Sequence, residues 1–368
     1  MIFLQYSIFY LENQLNDNLK STSKGAQLLL DYNDAFKEIS RKHSKDIDMA
    51  SLNRDVNWKI ESAKKHKELA LSYSHKKSRE KCPICNEIKH DRYVTIYDYD
   101  YLQCLKCGHI YLKDLIDENK IKELYLGKEN KNLQHMVYLS EELFEKRVKQ
   151  IAYPKVQWIF DTTNQKGLWI DIGCGTGEIL SAAKNLGYEV MGIDSDEKEI
   201  EFAKSKGIDA ICDYANESNA HKYLENGSII SLFNILEHLE EPKMLLKNIS
   251  KNIEEGTYVV IEVPRHPSIS SLSNLVFSDM ACRHIYPPDH IHIFTEKSME
   301  IMIKDAGLEP ISIWTFGQDA YEYLMISLAD KGIKRNEFID YIIKQIPMLQ
   351  RGIDESGLSD TMIVICKK

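Results

Sequence analysis

Residues 168–177 read Leu-Trp-Ile-Asp-Ile-Gly-Cys-Gly-Thr-Gly, an apolar run that breaks after Asp171 into three alternating glycines. β-Branched and aromatic residues suit a strand buried on both faces of a parallel sheet. Glycines at 173, 175 and 177 let the backbone turn tightly and lie against a ligand that any Cβ would obstruct. From Thr176 to Leu186 the apolar Ile179, Leu180, Ala183 and Leu186 recur at helical spacing, and Gly187 supplies a C-cap. A buried strand passing through a glycine turn into an amphipathic helix is the start of a βαβ unit. It predicts a mostly parallel α/β sheet with a nucleoside-binding loop at the carboxyl end of this strand. A dinucleotide-binding G-x-G-x-x-G turn would place its last glycine at 178, where the chain has Glu178.

The D-x-G-x-G-x-G turn resembles the first motif of class I S-adenosylmethionine (SAM)-dependent methyltransferases, and later segments follow that family's order. Strand Glu189–Ile193 ends in Asp194, seventeen residues past Gly177. There a carboxylate can accept both ribose hydroxyls of a nucleoside, or cap the helix that begins near Asp196. After strand Ile208–Cys212, the resemblance implies that Asp213 receives the adenine amino group. Strand Ser228–Phe233 runs into Asn234-Ile-Leu-Glu237-His238, similar to the fourth motif, which passes beneath the methionine part of SAM and faces the acceptor. Thr257–Val263, Glu309–Phe316 and Thr361–Cys366 read as further strands, with Thr295 capping a helix whose inner stripe is Met299, Met302, Ile303 and Ala306. The resemblance thus implies a seven-stranded Rossmann-like sheet ending in an antiparallel hairpin. It also implies a SAM site drawn from Asp171, Gly173, Cys174, Gly175, Gly177, Asp194, Ser195, Asp213, Tyr214 and Asn234.

Upstream, Cys82-Pro-Ile-Cys85-Asn86 and Cys104-Leu-Lys-Cys107-Gly108 stand with eighteen residues between the pairs. A C-x-x-C at a tight turn aims two thiolates at one tetrahedral ion, and Asn86 and Gly108 tolerate the left-handed backbone of such knuckles. Cys82, Cys85, Cys104 and Cys107 therefore predict a structural zinc ribbon with a closed Zn2+ shell. Short strands over Tyr93–Tyr97 and Tyr99–Tyr101 are too few to fold without the metal. A redox dithiol is the other use of C-x-x-C, but no thioredoxin-like βαβ pattern surrounds either pair. Cys174, Cys212, Cys282 and Cys366 show no pairing pattern and read as reduced thiols.

The expected plan is a helical arm over 1–78, the ribbon over 79–115, a linker or helical lid over 116–144 and the methyltransferase domain over 145–368. In the arm, Leu28–Leu30, Ala35, Phe36, Ile39, Ile60, Ala63 and Leu69–Leu71 sit among charges, suited to packing on the catalytic domain or on a second copy in a homodimer. The basic segment His66–Arg79 reads as a solvated face, or as a contact for substrate phosphates. A formal net charge of -9 argues against broad nucleic-acid binding. No apolar stretch is long enough to span a membrane. Met1–Leu11 lacks the basic leader of a secretory signal, so a cytoplasmic location is expected.

A ribbon of the form C-P-x-C and C-x-x-C-G, followed by an aromatic stretch and a class I methyltransferase domain, resembles enzymes of bacterial surface-polysaccharide and modified-sugar pathways. The segment Leu349–Asp360 is similar to the ends of that group. This implies a small-molecule acceptor, a nucleotide-activated sugar methylated at a hydroxyl or carbon. Transfer to a hydroxyl needs in-line positioning and a base for its proton. His238 is the candidate base, with Glu237 beside it to orient the acceptor or take the proton. His290 and His292 lie in the long connection after the fifth strand, expected to overhang the acceptor, and are alternative bases. In ubiquinone-pathway O-methyltransferases a Glu-x-x-Glu-His motif binds magnesium; here Asn234 stands at the first glutamate. Two rivals are an RNA methyltransferase gripping nucleic acid through the ribbon and residues 64–81, and a SAM-binding module without catalysis. The acidic total and the absence of an Asn-Pro-Pro-Tyr motif weigh against the first, and the intact cofactor positions against the second.

Overall fold

The run around Asp171 forms a central strand with a parallel neighbour on each side. This holds in a computed structural model describing residues 32, 35–44, 56–73, 75–116, 138–216, 218–277, 280 and 283–368. Along the chain the strands are β1 (Ser40–His43), β2 (His75–Ser78), β3 (His90–Ile96), β4 (Tyr99–Cys104), β5 (Ile110–Leu112), β6 (Asp114–Ile116) and β7 (Leu168–Ile172). They continue as β8 (Glu189–Asp194), β9 (Asp209–Cys212), β10 (Gly227–Phe233), β11 (Tyr258–Pro264), β12 (His292–Ile293), β13 (Glu309–Phe316) and β14 (Thr361–Lys367). The helices are α1 (Val56–Ser72), α2 (Glu141–Arg147), α3 (Tyr153–Thr163), α4 (Glu178–Asn185), α5 (Glu197–Ser205) and α6 (Pro242–Lys251). Then come α7 (Ile269–Val276), α8 (Glu296–Asp305), α9 (Asp319–Asp330), α10 (Glu337–Ile343) and α11 (Ile346–Glu355).

The main sheet runs β1-β13-β14-β11-β10-β7-β8-β9, with β14 antiparallel to both neighbours. All seven expected strands are present, and the eighth is a correction. Residues 1–78, expected to be a helical arm, contribute β1, which pairs in parallel with β13 and closes that edge. Ser40-Arg-Lys-His43 has no apolar alternation to announce a strand. It is held by the open ladder of β13 and by Arg41, which donates to both carboxylate oxygens of Glu296. Residues 1–31, and most of the expected lid over 116–144, lie outside the described residues, as does Cys282.

The ribbon is not a separate domain either. Its strands form a sheet of order β12-β5-β4-β3, so β12, from the long connection after β11, completes it. A single sheet must bury its apolar face against another element. Tyr101, Ile110 and Leu112 accordingly share a core with Ile285, Ile291 and Ile293. The knuckle cysteines Cys82, Cys104 and Cys107 join the core on one face of the main sheet, with Leu236, Phe294 and Met299. Helix α1 packs on the same chain, Val56 clustering with Tyr321 and Met325 of α9 and Lys59 pairing with Glu322 at 2.5 Å.

At the N-terminus of α8, Thr295 and Ser298 form the expected cap as a reciprocal capping box. Glu296 there is wholly buried between Arg41 and the buried Arg265, whose Nη2 lies 3.1 Å from its Oε1. Removing that carboxylate strands a buried cation. Glu296→Ala is expected to cost about 3–5 kcal/mol of stability in a urea titration, and Arg41→Ala, at the half-buried end of the network, distinctly less.

Candidate active site

The glycine turn is built by close approach. Gly173, Gly175 and Gly177 all have left-handed backbones, and a Cβ at 173 would stand 1.9 Å from Cδ1 of Ile235 in the loop after β10. The amides of Gly173 and Cys174 both donate to the carbonyl of Ile193. Asp194, at the end of β8, accepts from the Gly175 amide at 2.9 Å and from the Asp196 amide at 2.9 Å. Its carboxylate thus shapes the turn, while Asp196 caps α5. Thr176 is buried, and its hydroxyl has no hydrogen-bond partner among the described residues. This cradle at a strand end, with an unsatisfied donor and a carboxylate beside it, fits a nucleoside-bearing cofactor such as SAM.

The other expected cofactor residues divide. Asp171 is sealed beneath the turn, accepting from Ser231 Oγ at 2.5 Å, and burial raises its carboxyl well above the usual range. It braces β7 against β10 rather than facing the cleft. Cys174 is buried, and burial raises its thiol too. Ser195 accepts from the Cys212 thiol through its carbonyl. Asp213 lies at the end of β9, where it accepts from the Tyr214 amide and the Tyr223 hydroxyl.

On the acceptor side, Asn234 turns the chain out of β10 with a φ of 57°, and Leu236–His238 make a single 3-10 turn. Glu237 is fully buried, and neither of its carboxyl oxygens has a hydrogen-bond partner among the described residues. Burial holds its proton on, well above the ordinary carboxyl range. The rings of His238 and His290 meet edge to face, centroids 4.7 Å apart. One ligand atom from each of Glu237, His238 and His290 falls within 4.8 Å of the others, a set able to hold an ion or a proton. The Nδ1 of His238 contacts the Asp289 carbonyl at 2.9 Å, and that of His290 contacts the His284 carbonyl at 3.0 Å. Facing a carbonyl, each Nδ1 is the protonated nitrogen, and His238 meets the Asn234 carbonyl as well. Burial lowers His238 to about 4 and His290 well below its usual value, so both are neutral at pH 7.

His292, expected beside them, is placed elsewhere. Its Nδ1 lies 3.0 Å from His109 Nε2, its Nε2 lies 2.9 Å from the Leu239 carbonyl, and it is wholly buried. It ties ribbon to sheet with both ring nitrogens engaged. Two site residues escaped the sequence: Lys155 of α3 bonds Glu262 of β11 at 2.8 Å, both buried, and Glu262 accepts from Asn234 Nδ2 at 3.1 Å. The signals were there, since Lys155 falls in phase with the apolar Trp158 and Ile159, and Glu262 interrupts an otherwise apolar strand.

The four knuckle cysteines converge with all sulfurs within 4.8 Å of one another, Cys82 to Cys107 at 3.7 Å and Cys85 to Cys104 at 3.5 Å. A tetrahedron of thiolates about 2.3 Å from a zinc ion has sulfurs about 3.8 Å apart. The donor set and spacing fit that ion.

Residues 141–313 match a family model described as a methyltransferase domain. The chain carries a SAM-dependent methyltransferase domain. As an enzyme of this class it transfers a methyl group from SAM. The ubiquinone biosynthesis O-methyltransferase of Bordetella avium is 23% identical over 165 residues, 42% of this chain and 68% of that protein. Its counterpart from Idiomarina loihiensis is 26% identical over 39% of this chain and 62% of its own length. Among solved structures, the magnesium protoporphyrin IX methyltransferase of Synechocystis PCC 6803 with bound SAH aligns over 68% of this chain and all of its own, at 12% identity and a TM-score of 0.46. No helix among the described residues is long and apolar enough to cross a membrane.

Because the Asp194 carboxylate holds the Gly175 amide, Asp194→Ala is expected to weaken SAM binding about 10- to 100-fold, the worth of charge-assisted hydrogen bonds, with the fold retained. Titration calorimetry of full-length protein checks this, and unchanged affinity would remove Asp194 from the cofactor site.

Proposed function

We propose that the protein methylates a hydroxyl of a small polar acceptor, of the nucleotide-activated sugar class, with His238 as the base. The observation that carries this is the neutral, half-buried His238–His290 pair beside the buried Glu237 at the carboxyl end of β10. Bound SAM would supply an electrophilic methyl. Gly173, Gly175, Gly177 and Asp194 would hold its nucleoside, with Cys174, Ser195, Asp213 and Tyr214 around it and Asn234 beneath its methionine part. Nε2 of His238 accepts the hydroxyl proton as the oxygen turns nucleophilic, and His290 keeps the ring in place. Glu237, protonated, donates a hydrogen bond to the acceptor. The O-methyltransferase relatives support transfer to oxygen. They match mainly the SAM domain, so the sugar class rests on the ribbon-plus-methyltransferase resemblance. Zinc at Cys82, Cys85, Cys104 and Cys107 completes the protein as a structural ion, with no part in the chemistry.

His238→Ala should lower turnover by about two to four orders of magnitude, the usual worth of a positioned base, with SAM affinity kept. A panel of nucleotide hexoses, deoxysugars and heptoses, screened by SAH release, provides the acceptor. Since His238 sits at about 4, its basic form persists on acidification, and kcat should stay level from neutral pH to about 5 and fall only below. An acid limb near 6.5, or full turnover in His238→Ala, would overturn the base assignment. Activity lost to EDTA and restored by magnesium would replace the base with an ion held by the same three residues. Silence across the panel with methylation of tRNA would move the acceptor to nucleic acid.

The purified chain should contain one zinc per molecule by elemental analysis, absent when Cys82 and Cys85 are both serine. A metal-free preparation that never saw chelator, or a disulfide among these cysteines, would sink the ribbon.

A further inference from the structure

In the connection from His284 to Ile291, the main-chain carbonyls of His284, Tyr286, Pro287, Asp289, His290 and Ile291 each meet a donor. His290 itself accounts for two, its amide donating to Tyr286 and its Nδ1 to His284. His238 donates to Asp289. The remaining donors come from parts of the chain outside the family match. Tyr101 of β4, wholly buried, donates its hydroxyl to the His290 carbonyl at 2.6 Å. The amide of Leu112, at the end of β5, donates to Ile291. His66 of α1 bonds the Pro287 carbonyl at 2.5 Å and stacks on Tyr286, ring centroids 3.3 Å apart. His66 lies on the buried stripe of α1 with Ala63 and Ala70. A loop this rich in outside donors does not choose its own shape.

We propose that Tyr101 and His66 are positioning residues for methyl transfer, holding the 284–291 loop so that its Asp289 and His284 carbonyls aim His238 and His290 at the acceptor. The Asp289 carbonyl that orients His238 lies between the carbonyl gripped by His66 and the one gripped by Tyr101. Loss of either grip frees the peptide planes at 287–290, the Nδ1 bonds go out of line, and more water reaches the half-buried imidazoles. The ribbon and the arm, remote from the SAM turn in sequence and in the sheet, thereby act on the chemistry without touching the reacting atoms. This rests on His238 being the base, as proposed above.

The test uses full-length protein and the nucleotide hexose of the panel that releases SAH fastest. Tyr101→Phe and His66→Leu should each lower kcat about 5- to 100-fold, the range for leaving one buried carbonyl unpaired, with SAM affinity unchanged. The acid limb of kcat should move up from about 4 toward 6.5 as His238 becomes wetter. His66→Gln, which keeps a donor at the same reach, should restore most of the rate. Hydrogen exchange by mass spectrometry, needing no acceptor, should show faster exchange across 284–291 and none across 168–180. Unmoved exchange in the loop, or a kcat loss that follows only the folded fraction with the acid limb in place, would overturn the proposal. If His238→Ala keeps full turnover, the base assignment fails by itself, and the exchange experiment still decides whether Tyr101 and His66 order the loop.

Discussion

The cleft depends on how closely two strand ends approach. Where β7 turns out of the sheet and β10 does the same beside it, Gly173 and Ile235 meet at a distance that admits no side chain on the glycine. Register enforces this contact: Asp171 pairs with Ser231 across β7 and β10 and with Gly192 across β7 and β8. The buried Asp171–Ser231 hydrogen bond holds the two strands in step beneath the turn. With that register fixed, the cofactor turn, Asp194 and the Glu237–His238 turn all emerge on one edge of the sheet, as ligand sites of open α/β sheets do.

Much of this was legible because it follows from periodicity and from glycines that only a turn requires. The seven strands of the domain, the cap at Thr295 and the four converging cysteines all appear where their spacing put them. Elements that owe their conformation to partners far away in sequence were not legible. β1 has no strand pattern and is ordered by the edge of β13 and by Glu296, more than 250 residues on. Two histidines close in the chain looked alike, and packing separates them: His290 turns toward His238, His292 into the ribbon. Lys155 and Glu262 were visible as charges in apolar phase, but their pairing belongs to the fold and not to either segment.

The ribbon changes meaning once its sheet is seen to be finished by β12. As a free-standing module it would be an appendage for binding something else. Sharing a strand and a core with the connection after β11, it supports the loop that carries His290, and an ion at its cysteines would stabilise that support. The separation into arm, ribbon and catalytic domain is thus a division of sequence, crossed in space by hydrogen bonds at His66, Tyr101 and His109.

β1 also bears on how the protein behaves in solution. Four residues from far upstream cover β13, whose two faces carry the buried Ile313 and Trp314, the latter donating through its indole to the Ser44 carbonyl. A shortened chain that begins at the first cysteine pair would leave this ladder of amides and carbonyls open along a largely apolar strand. Such an edge recruits other chains. The upstream segment therefore works as a gatekeeper against aggregation as well as a support, and trimming the protein to its recognisable domains would exchange a short, charged border for a longer, adhesive one.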